Sequence, residues 1–280
     1  MRPDVEDRNV TLLALARACA AGCLNEARQL ADKAELSEDD ADRCILSYEA
    51  CRHDRVQIVQ WLVARFGYAN KSDCLWHLFE EAGTHGALGV ARWLVGQPAL
   101  GGADARARGG SRVLTTACYY GRLEFARWLV ATFGLTAADI RAADNAALRD
   151  ACHFGHVEVA QWLTDHFGLG PADARTGDND ALRWACFCGQ LAAAQWLAAT
   201  FGLGPADARA DGNYALRHAC RGGHVEVVAW LVTTFGLGLA DFHDKGPGGI
   251  HISAAHGARH PAMSQWLAAR WPALGAAAAE

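Results

Sequence analysis

The sequence lacks both a long apolar run and an excess of basic residues. Its apolar runs are short and follow the period of a helix, whereas a membrane-spanning helix needs about 20 mostly apolar residues in a row. Its net charge of −5 is unlike that of nucleic-acid-binding proteins, which usually carry a basic patch. Residues 1–9 lack the apolar centre of a signal peptide. These absences predict a cytoplasmic protein that binds neither a membrane nor nucleic acid.

The short motifs of common enzyme and metal sites are also missing. No glycine-rich phosphate loop follows a strand, and no Gly-x-Ser-x-Gly nucleophile motif occurs. Cys186 and Cys188 form a lone Cys-x-Cys pair, and His251, His256 and His260 lie far from it in the sequence. A structural zinc site needs two such pairs, or cysteine with histidine at short spacing. We therefore predict no catalytic residue, no metal and no cofactor, and a protein that is not an enzyme.

The chain is instead rich in one repeated phrase. A Trp-Leu pair is followed, after three further residues, by Phe-Gly-Leu, and the four clearest copies recur every 34 residues. With Gln29-Leu30 at the first position, the phrase defines eight copies. A fixed period of this size is typical of a solenoid built from stacked repeats. The tryptophans of the series are Trp61, Trp93, Trp128, Trp162, Trp196, Trp230 and Trp266.

Each copy is predicted to contain two helices joined by a glycine turn. In the fifth copy, residues 147–154 place apolar side chains on one helical face. Gly155 makes the turn, residues 157–167 form the second helix, and Gly168 ends it in the left-handed conformation. The repeated tryptophans are expected in the core between stacked repeats, where truncating a large side chain costs about 3–5 kcal/mol.

The segment between copies is predicted to form a short third helix. Pro171 and Pro205 suit the first position of a helix, and an aspartate two residues later suits its positive end. The recurrent aspartates are expected to cap these helices and to pair with recurrent arginines, and recurrent asparagines to act as caps or turn formers. The three series are Asp139, Asp173, Asp207 and Asp241; Arg141, Arg175 and Arg209; and Asn145, Asn179 and Asn213.

Six of the ten cysteines stand ten residues before a position of the tryptophan series. Equivalent residues of stacked repeats are roughly 8–10 Å apart, whereas a disulfide requires Cα atoms within about 7 Å. These cysteines are therefore predicted to act as small apolar residues in a helix interface. They are Cys19, Cys51, Cys118, Cys152, Cys186 and Cys220.

Residues 215–228, which read Ala-Leu-Arg-His-Ala-Cys-Arg-Gly-Gly-His-Val-Glu-Val-Val, resemble an ankyrin repeat. Residues 250–257 resemble the first helix of another. The chain departs from the family in its period of 34, in its missing Thr-Pro start, and in Arg149, Arg183 and Arg217 where the family has histidine. Its phrasing is similar to the ankyrin expansions of giant DNA viruses and amoeboid protists.

The resemblance and the period together predict an all-α, ankyrin-like helical solenoid. It has about eight helix-turn-helix repeats, with short linking helices in place of most β-hairpins. The predicted organisation is a single solenoid over 1–280. It comprises a cap repeat at 9–36, internal repeats at 37–247, a cap repeat at 248–274 and a frayed tail at 275–280. The internal repeats begin with a capping box at 37–40 and contain an irregular connector at 96–110. The first helix of the last cap repeat is predicted at 250–256.

The resemblance implies that residues at the end of each first helix line a concave groove and contact a partner. Trp184 and Phe187 are the strongest candidates, because a spacing of three places them on one helical face. The alternative is that these aromatic residues partly fill gaps between first helices. The candidate partner-binding residues are Tyr119, Tyr120, Asp150, His153, Phe154, Trp184, Phe187, His218 and Arg221.

The expected function is that of a monomeric protein–protein interaction scaffold or adaptor, whose partner is another protein or a peptide. One alternative is a substrate-recruiting adaptor of a larger complex such as a ubiquitin ligase. Another is an enzyme that acts on a small molecule or a peptide. One alternative location is the nucleus in addition to the cytoplasm. Another, for a viral protein, is the host cytoplasm.

Overall fold

The computed structural model describes residues 5–36, 45–100, 110–243 and 260–272. These ranges consist of helices and turns and contain no strand, so the prediction of an all-α helical repeat is confirmed. The chain divides into two compact units, Met1–Leu135 and Thr136–Glu280, and each is described by itself. The organisation as one solenoid over 1–280 with cap repeats stays a prediction.

The first unit is built from pairs of helices joined by short turns. Its first helix runs from Val5 to Ala21 without interruption, because these residues include no glycine or proline that would stop a helix. The pairs are α1 (Val5–Ala21) with α2 (Leu24–Lys33), α3 (Ile45–Arg52) with α4 (Val56–Arg65), α5 (Ser72–His85) with α6 (Leu88–Val95), and α7 (Arg112–Tyr119) with α8 (Leu123–Phe133), and 3-10 turns lie at Tyr68–Asn70 and Pro98–Leu100.

The second unit repeats the pair and adds a linking helix. The predicted second helix Val157–Phe167 is confirmed, and Gly168 ends it in the left-handed conformation with φ at 60°. Its helices are α9 (Ala137–Ala142), α10 (Ala146–His153), α11 (Val157–Phe167), α12 (Pro171–Ala174), α13 (Thr176–Phe187), α14 (Leu191–Phe201), α15 (Pro205–Ala208), α16 (Ala210–Arg221), α17 (Val225–Phe235), α18 (Leu239–His243) and α19 (Pro261–Arg270).

Four predicted features lie outside the described residues. They are the capping box at 37–40, most of the connector (101–109), the first helix of the last copy at 250–256, and the tail at 275–280. The second helix of the last copy is described, and Pro261 stands in its first turn as predicted.

The short linking helices α9, α12, α15 and α18 of the second unit confirm the predicted third helix. Their aspartates cap them. The backbone N–H of Gly170 donates to the Asp173 carboxylate at 2.9 Å, and Gly204 donates to Asp207 at 2.8 Å. An aspartate in the first turn also faces the positive end of the helix dipole. The carboxylate therefore fixes where each linking helix begins.

The same aspartates receive the recurrent arginines, and each pair joins one repeat to the next. Arg175 donates from Nε to Asp207 Oδ1 at 2.8 Å and from Nη2 to Oδ2 at 3.0 Å. Its Nη2 also reaches the carbonyl oxygen of Gly202 at 3.3 Å, at the end of α14. Such bidentate pairs combine strength with a fixed geometry. The equivalent pairs are Arg141 with Asp173 and Arg209 with Asp241.

The recurrent asparagines form turns and do not act as helix caps. Asn145 and Asn179 are buried in the left-handed conformation, with φ at 51° and 64°, and neither Asn145 nor Arg175 makes a side-chain cap bond to the helix that follows it. The Nδ2 of Asn145 instead donates to Thr176 Oγ1 at 3.0 Å in the next repeat. Asparagine suits this place because its short polar side chain tolerates left-handed backbone.

Two of the arginines that replace the family's histidine hold the same left-handed turns. Arg217 is 6% exposed and donates to the carbonyl oxygens of Gly212 at 2.7 Å and Asp211 at 3.1 Å. Arg183 donates to the carbonyl oxygen of Gly177 at 3.1 Å. A guanidinium carries five hydrogen-bond donors. Here it satisfies the carbonyl oxygens of turn residues, which are not paired in a β-strand.

The core between repeats is made of leucine, alanine and cysteine. The leucine after each tryptophan is buried in every described copy up to Leu231, and Leu197 is 0% exposed. The six predicted core cysteines are all buried, and none of them forms a disulfide. Burial raises the pKa of the Cys51 thiol to about 12, which keeps it protonated and unreactive at neutral pH. The apolar role predicted for the cysteine column is therefore confirmed.

The tryptophan column does not lie in this core, and the expectation that it does was wrong. Trp162, Trp196 and Trp230 are only partly buried. Each packs its ring against a phenylalanine of its own helix, as Trp196 does on Phe201 with centroids 5.7 Å apart. The phrase fixes the register because it ends with a buried leucine, and the tryptophan lies at the rim of the interface.

In three repeats, the residue after the turn binds back to the preceding repeat. In the first unit, the Nε of Arg55 donates to the carbonyl oxygen of Ala20 at 2.9 Å, and that of Arg122 to Thr84 at 3.0 Å. In the second unit, His224 Nε2 lies 3.0 Å from the carbonyl oxygen of Phe187. These contacts satisfy carbonyls at the ends of first helices, which a helix leaves unpaired.

Asp54 occupies a turn position where the other copies have glycine. Its φ of 51° is left-handed, which is unfavourable for a residue with a Cβ. Its carboxylate accepts the backbone N–H groups of Gly89 at 3.0 Å and Val90 at 2.8 Å, in the first turn of α6. Charge-assisted bonds at a helix N-terminus offset the strain of the turn.

We predict that Leu197→Ala destabilises the protein more than Trp196→Ala does. Leu197 is enclosed on all sides, so its truncation leaves a cavity and costs about 2–5 kcal/mol. Water fills the space left by the partly exposed Trp196, so that change costs less. Urea unfolding of both variants, followed by circular dichroism, measures the difference. A larger loss of stability on Trp196→Ala than on Leu197→Ala would show that the tryptophan column lies in the core.

We predict that the stabilising effect of Asp207 disappears at acid pH. The hydrogen bonds from the Arg175 side chain lower the pKa of Asp207 in the folded protein. The contribution is therefore present above the ordinary aspartate pKa of about 3.9 and is lost as the pH falls through the lower folded value. The free energy of unfolding of the wild type and of Asp207→Asn should differ at pH 7 and converge below about pH 4.

Asp165→Asn, at an exposed position of α11, is the matched control for loss of one carboxylate. If Asp207→Asn and Asp165→Asn change the free energy of unfolding equally at pH 7, the pair with Arg175 contributes nothing to stability.

Candidate functional site

In the first unit, the candidate residues are two adjacent tyrosines at the end of α7. Tyr119 is 36% exposed and Tyr120 is 43% exposed. Their rings meet edge to face with centroids 4.7 Å apart. Tyrosine pairs of this kind present a large, partly apolar surface to solvent. The structure thus places both residues at the surface, as the sequence analysis expected.

In the second unit, the first helices of three consecutive repeats carry a continuous series of aromatic rings, which we call the aromatic ladder. Each ring contacts the next, with centroids 3.9–5.3 Å apart. In order along the surface, the ladder consists of Phe154, His153, Trp184, Phe187, His218 and Tyr214.

The ladder follows from the repeat register. Residues 150, 184 and 218 are equivalent, and so are 153, 187 and 221, because each set is spaced by 34. A residue of the set 153, 187 and 221 in one repeat contacts the residue of the set 150, 184 and 218 in the following repeat. His153 meets Trp184 with centroids 4.9 Å apart, and Phe187 meets His218 at 5.3 Å. This diagonal contact makes one surface from side chains on separate helices.

The ladder is neither fully buried nor fully exposed. Trp184, Phe187, His153 and His218 all have intermediate accessibility, and Arg221 beside them is exposed. Neither Trp184 nor Phe187 is buried. Part of each ring remains available to a partner, while its contact with the next ring restricts its rotation.

The histidines of the ladder are held in their neutral form. Burial lowers the pKa of His153 and of His218, and the neighbouring Arg217, Arg221 and Arg183 lower the pKa of His218 further. At neutral pH the ladder is therefore an uncharged aromatic surface. Burial also raises the pKa of the Tyr214 hydroxyl, so this group stays protonated.

Family models assign the repeats that carry these residues. A model described as ankyrin repeats in many copies matches residues 114–164 and 148–198. A model of the single ankyrin repeat matches residues 211–245. Residues 114–198 and 211–245 of the chain are ankyrin repeats. Ankyrin repeats generally mediate protein–protein interactions, and ankyrin-repeat proteins are typically scaffolds without enzymatic activity.

A comparison with curated proteins finds no match. Among the helices of the described ranges, none combines the length and the apolar character that a bilayer crossing requires. Within those ranges, no three His, Cys, Asp or Glu side chains lie close enough together to hold a metal ion. His251 and His256 lie outside the described residues.

The remaining candidate of these ankyrin repeats, Asp150, is already engaged. Its Oδ1 accepts a hydrogen bond from Arg149 Nε at 3.1 Å, and its side chain is 17% exposed. A partner would have to compete with this bond. Asp150 is thus available to a partner to a smaller extent than the aromatic residues.

Tyr214 and Arg183 belong to the site but were missed in the sequence. Tyr214 stacks on His218 with centroids 3.9 Å apart, and the guanidinium of Arg183 lies 4.2 Å from the centre of the Tyr214 ring. The available signal was the helical spacing, because Tyr214 stands four residues before His218 on the same face. An arginine over an aromatic face is also a favourable contact.

We predict that Tyr214→Ala raises the pKa of His218. The Tyr214 ring covers His218, and burial is the main cause of its low pKa. Exposing the imidazole therefore moves its pKa towards the ordinary value of about 6.5. An NMR titration of the imidazole protons measures this. His77, an exposed histidine of α5, is the internal reference, and an unchanged His218 titration would contradict the stacking.

Proposed function

We propose that this protein is a scaffold or adaptor that binds another protein or a peptide on the aromatic ladder. The observation that carries the proposal is that partly exposed rings form one continuous surface across three repeats. Tyr119 and Tyr120, in the other unit, remain predicted partner contacts. The proposal includes no catalytic step.

The composition of the ladder supports binding. Tryptophan, tyrosine and arginine dominate the energetics of protein interfaces, and phenylalanine is enriched there. Trp184 and Phe187 stand at its centre, in contact with each other at 5.3 Å. Rings that already pack against their neighbours lose little side-chain freedom when a partner binds, which lowers the entropic cost of association.

The residue type varies between repeats at the ladder positions, whereas it is nearly constant at the stacking positions. The core repeats leucine and cysteine in copy after copy, because each repeat must fit its neighbour. The ladder position instead changes from Asp150 to Trp184 to His218 in successive repeats. The helices of these repeats form with all three side chains, so stacking does not require an aromatic residue there. A specific binding surface accounts for residues that stacking leaves unconstrained.

We predict that Trp184→Ala combined with Phe187→Ala abolishes or greatly weakens partner binding. Loss of two central aromatic side chains costs at least about 2 kcal/mol in a typical hot spot, which is a decrease in affinity of about 30-fold. Affinity capture from native cells, with quantitative mass spectrometry, compares this variant with the wild type. The partners specific to the wild type should be lost.

The matched control is Val10→Ala combined with Leu13→Ala, which removes two exposed apolar residues of α1, a helix of the first unit. This control should retain the partners. A melting temperature close to that of the wild type is required of both variants. A partner list unchanged by loss of Trp184 and Phe187 in a folded protein would refute the proposal.

A further inference from the structure

Arg221 is the exposed cation at one end of the aromatic ladder. It is the last residue of α16 and stands three residues after His218, one repeat on from Phe187. Among the described residues, no carboxylate or carbonyl oxygen accepts a hydrogen bond from its guanidinium. Its charge is therefore available to a partner.

The other arginines beside the ladder are engaged within the protein. Arg183 donates to Asp211 Oδ2 at 2.6 Å, and Arg217 is buried against turn carbonyls. Arg149 is bonded to Asp150 at 3.1 Å. Among the described residues, one guanidinium beside the ladder is thus left free, in a protein whose net charge is −5.

Arg221 is also not needed to complete its own helix. Cations near a helix C-terminus often serve to satisfy the last carbonyl oxygens. Here turn amides do so. The N–H of Gly222 donates to His218 at 2.9 Å, that of Gly223 to Cys220 at 3.1 Å, and that of His224 to Ala219 at 2.9 Å. Capping of its own helix therefore does not explain why an arginine stands at position 221.

We propose that Arg221 binds a carboxylate of the partner and so fixes the direction in which an extended acidic peptide segment lies on the ladder. This inference rests on the proposed function. An apolar or aromatic side chain of the segment packs on Trp184 and Phe187, and an Asp or Glu side chain pairs with Arg221. Arginine and carboxylate match in geometry and form strong charge-assisted bonds.

The repeat spacing sets the distance between the two partner residues. Phe187 and Arg221 are equivalent positions one repeat apart, which corresponds to roughly 10 Å between packed helices. An extended chain advances about 3.3 Å per residue. The acidic residue of the partner therefore lies about three residues from its apolar anchor.

The number of free cations favours a carboxylate over a polyanion. Nucleic acids and phosphorylated segments are bound by clusters of basic residues. Of the four arginines that the structure describes beside the ladder, three are already bonded inside the protein, so one of these four charges remains. The net negative charge of the chain also opposes a polyanion. A single acidic side chain next to an apolar anchor matches what the surface offers.

Selection of random 12-residue peptides displayed on phage tests this inference on the full chain. The baits are the wild type, Arg221→Glu and the control Arg92→Glu, which reverses an exposed charge on α6, a helix of the first unit. The wild type and the control should enrich peptides with Asp or Glu about three residues from a large apolar side chain. Arg221→Glu should enrich Lys or Arg at the same place.

An enriched peptide is then synthesised and its affinity measured by calorimetry. We expect about a tenfold loss on Arg221→Glu and no loss on Arg92→Glu. Replacing the acidic residue of the peptide with lysine should restore binding to Arg221→Glu. Circular dichroism and a thermal melt establish that each variant is folded, and the restored binding provides the same evidence independently.

The outcomes separate this inference from the proposed function. Peptides that need Trp184 and Phe187 but show no acidic preference, or an affinity unchanged by Arg221→Glu, would overturn the role of Arg221 and leave the ladder as the binding surface. Peptides whose binding survives Trp184→Ala/Phe187→Ala would refute the proposed function itself. Tighter binding of a short single-stranded oligonucleotide than of any selected peptide would also overturn the inference.

Discussion

One carboxylate per repeat joins the repeats of the second unit. Asp207 accepts the backbone N–H that begins its own linking helix and, at the same time, the guanidinium of Arg175 from the repeat before. That arginine also reaches the carbonyl oxygen that ends the intervening second helix. The start of one helix, the end of another and the spacing between repeats therefore depend on the same side chain. A family repeat that uses a hairpin obtains this connection from strand pairing, and here side-chain bonds replace it.

The aromatic ladder depends on that spacing. His153 meets Trp184, and Phe187 meets His218, only because equivalent residues lie one repeat apart in a fixed register. A rotation of one repeat against the next would separate these pairs. His224 reinforces the arrangement, since its ring lies 3.0 Å from the carbonyl oxygen of Phe187. The stacking bonds and the candidate binding surface are thus connected through the ends of the first helices.

The period of the sequence predicted the helix pairs, the linking helices and the buried cysteines, because all of these repeat. It failed where one residue type serves a different purpose from the expected one. Trp196 recurs as regularly as Leu197, and regularity alone does not say which of two adjacent side chains faces the neighbour. For Asn145 the sequence left a helix cap and a turn former open, and the left-handed backbone shows the turn former. The residue type at the position of Tyr214 varies between copies, so the repeat pattern did not predict a role for it.

The diagonal geometry also determines how the ladder acts. Each ring is in contact with a ring of the adjacent repeat, so a change in one side chain alters the exposure and the rotamer of the next. Residues that share contacts are coupled in their energetic effects, whereas distant residues are usually independent. Trp184 contacts both His153 and Phe187, and Phe187 contacts His218. The three repeats therefore present one coupled surface, and the exposed Arg221 gives that surface a charged end and hence a direction.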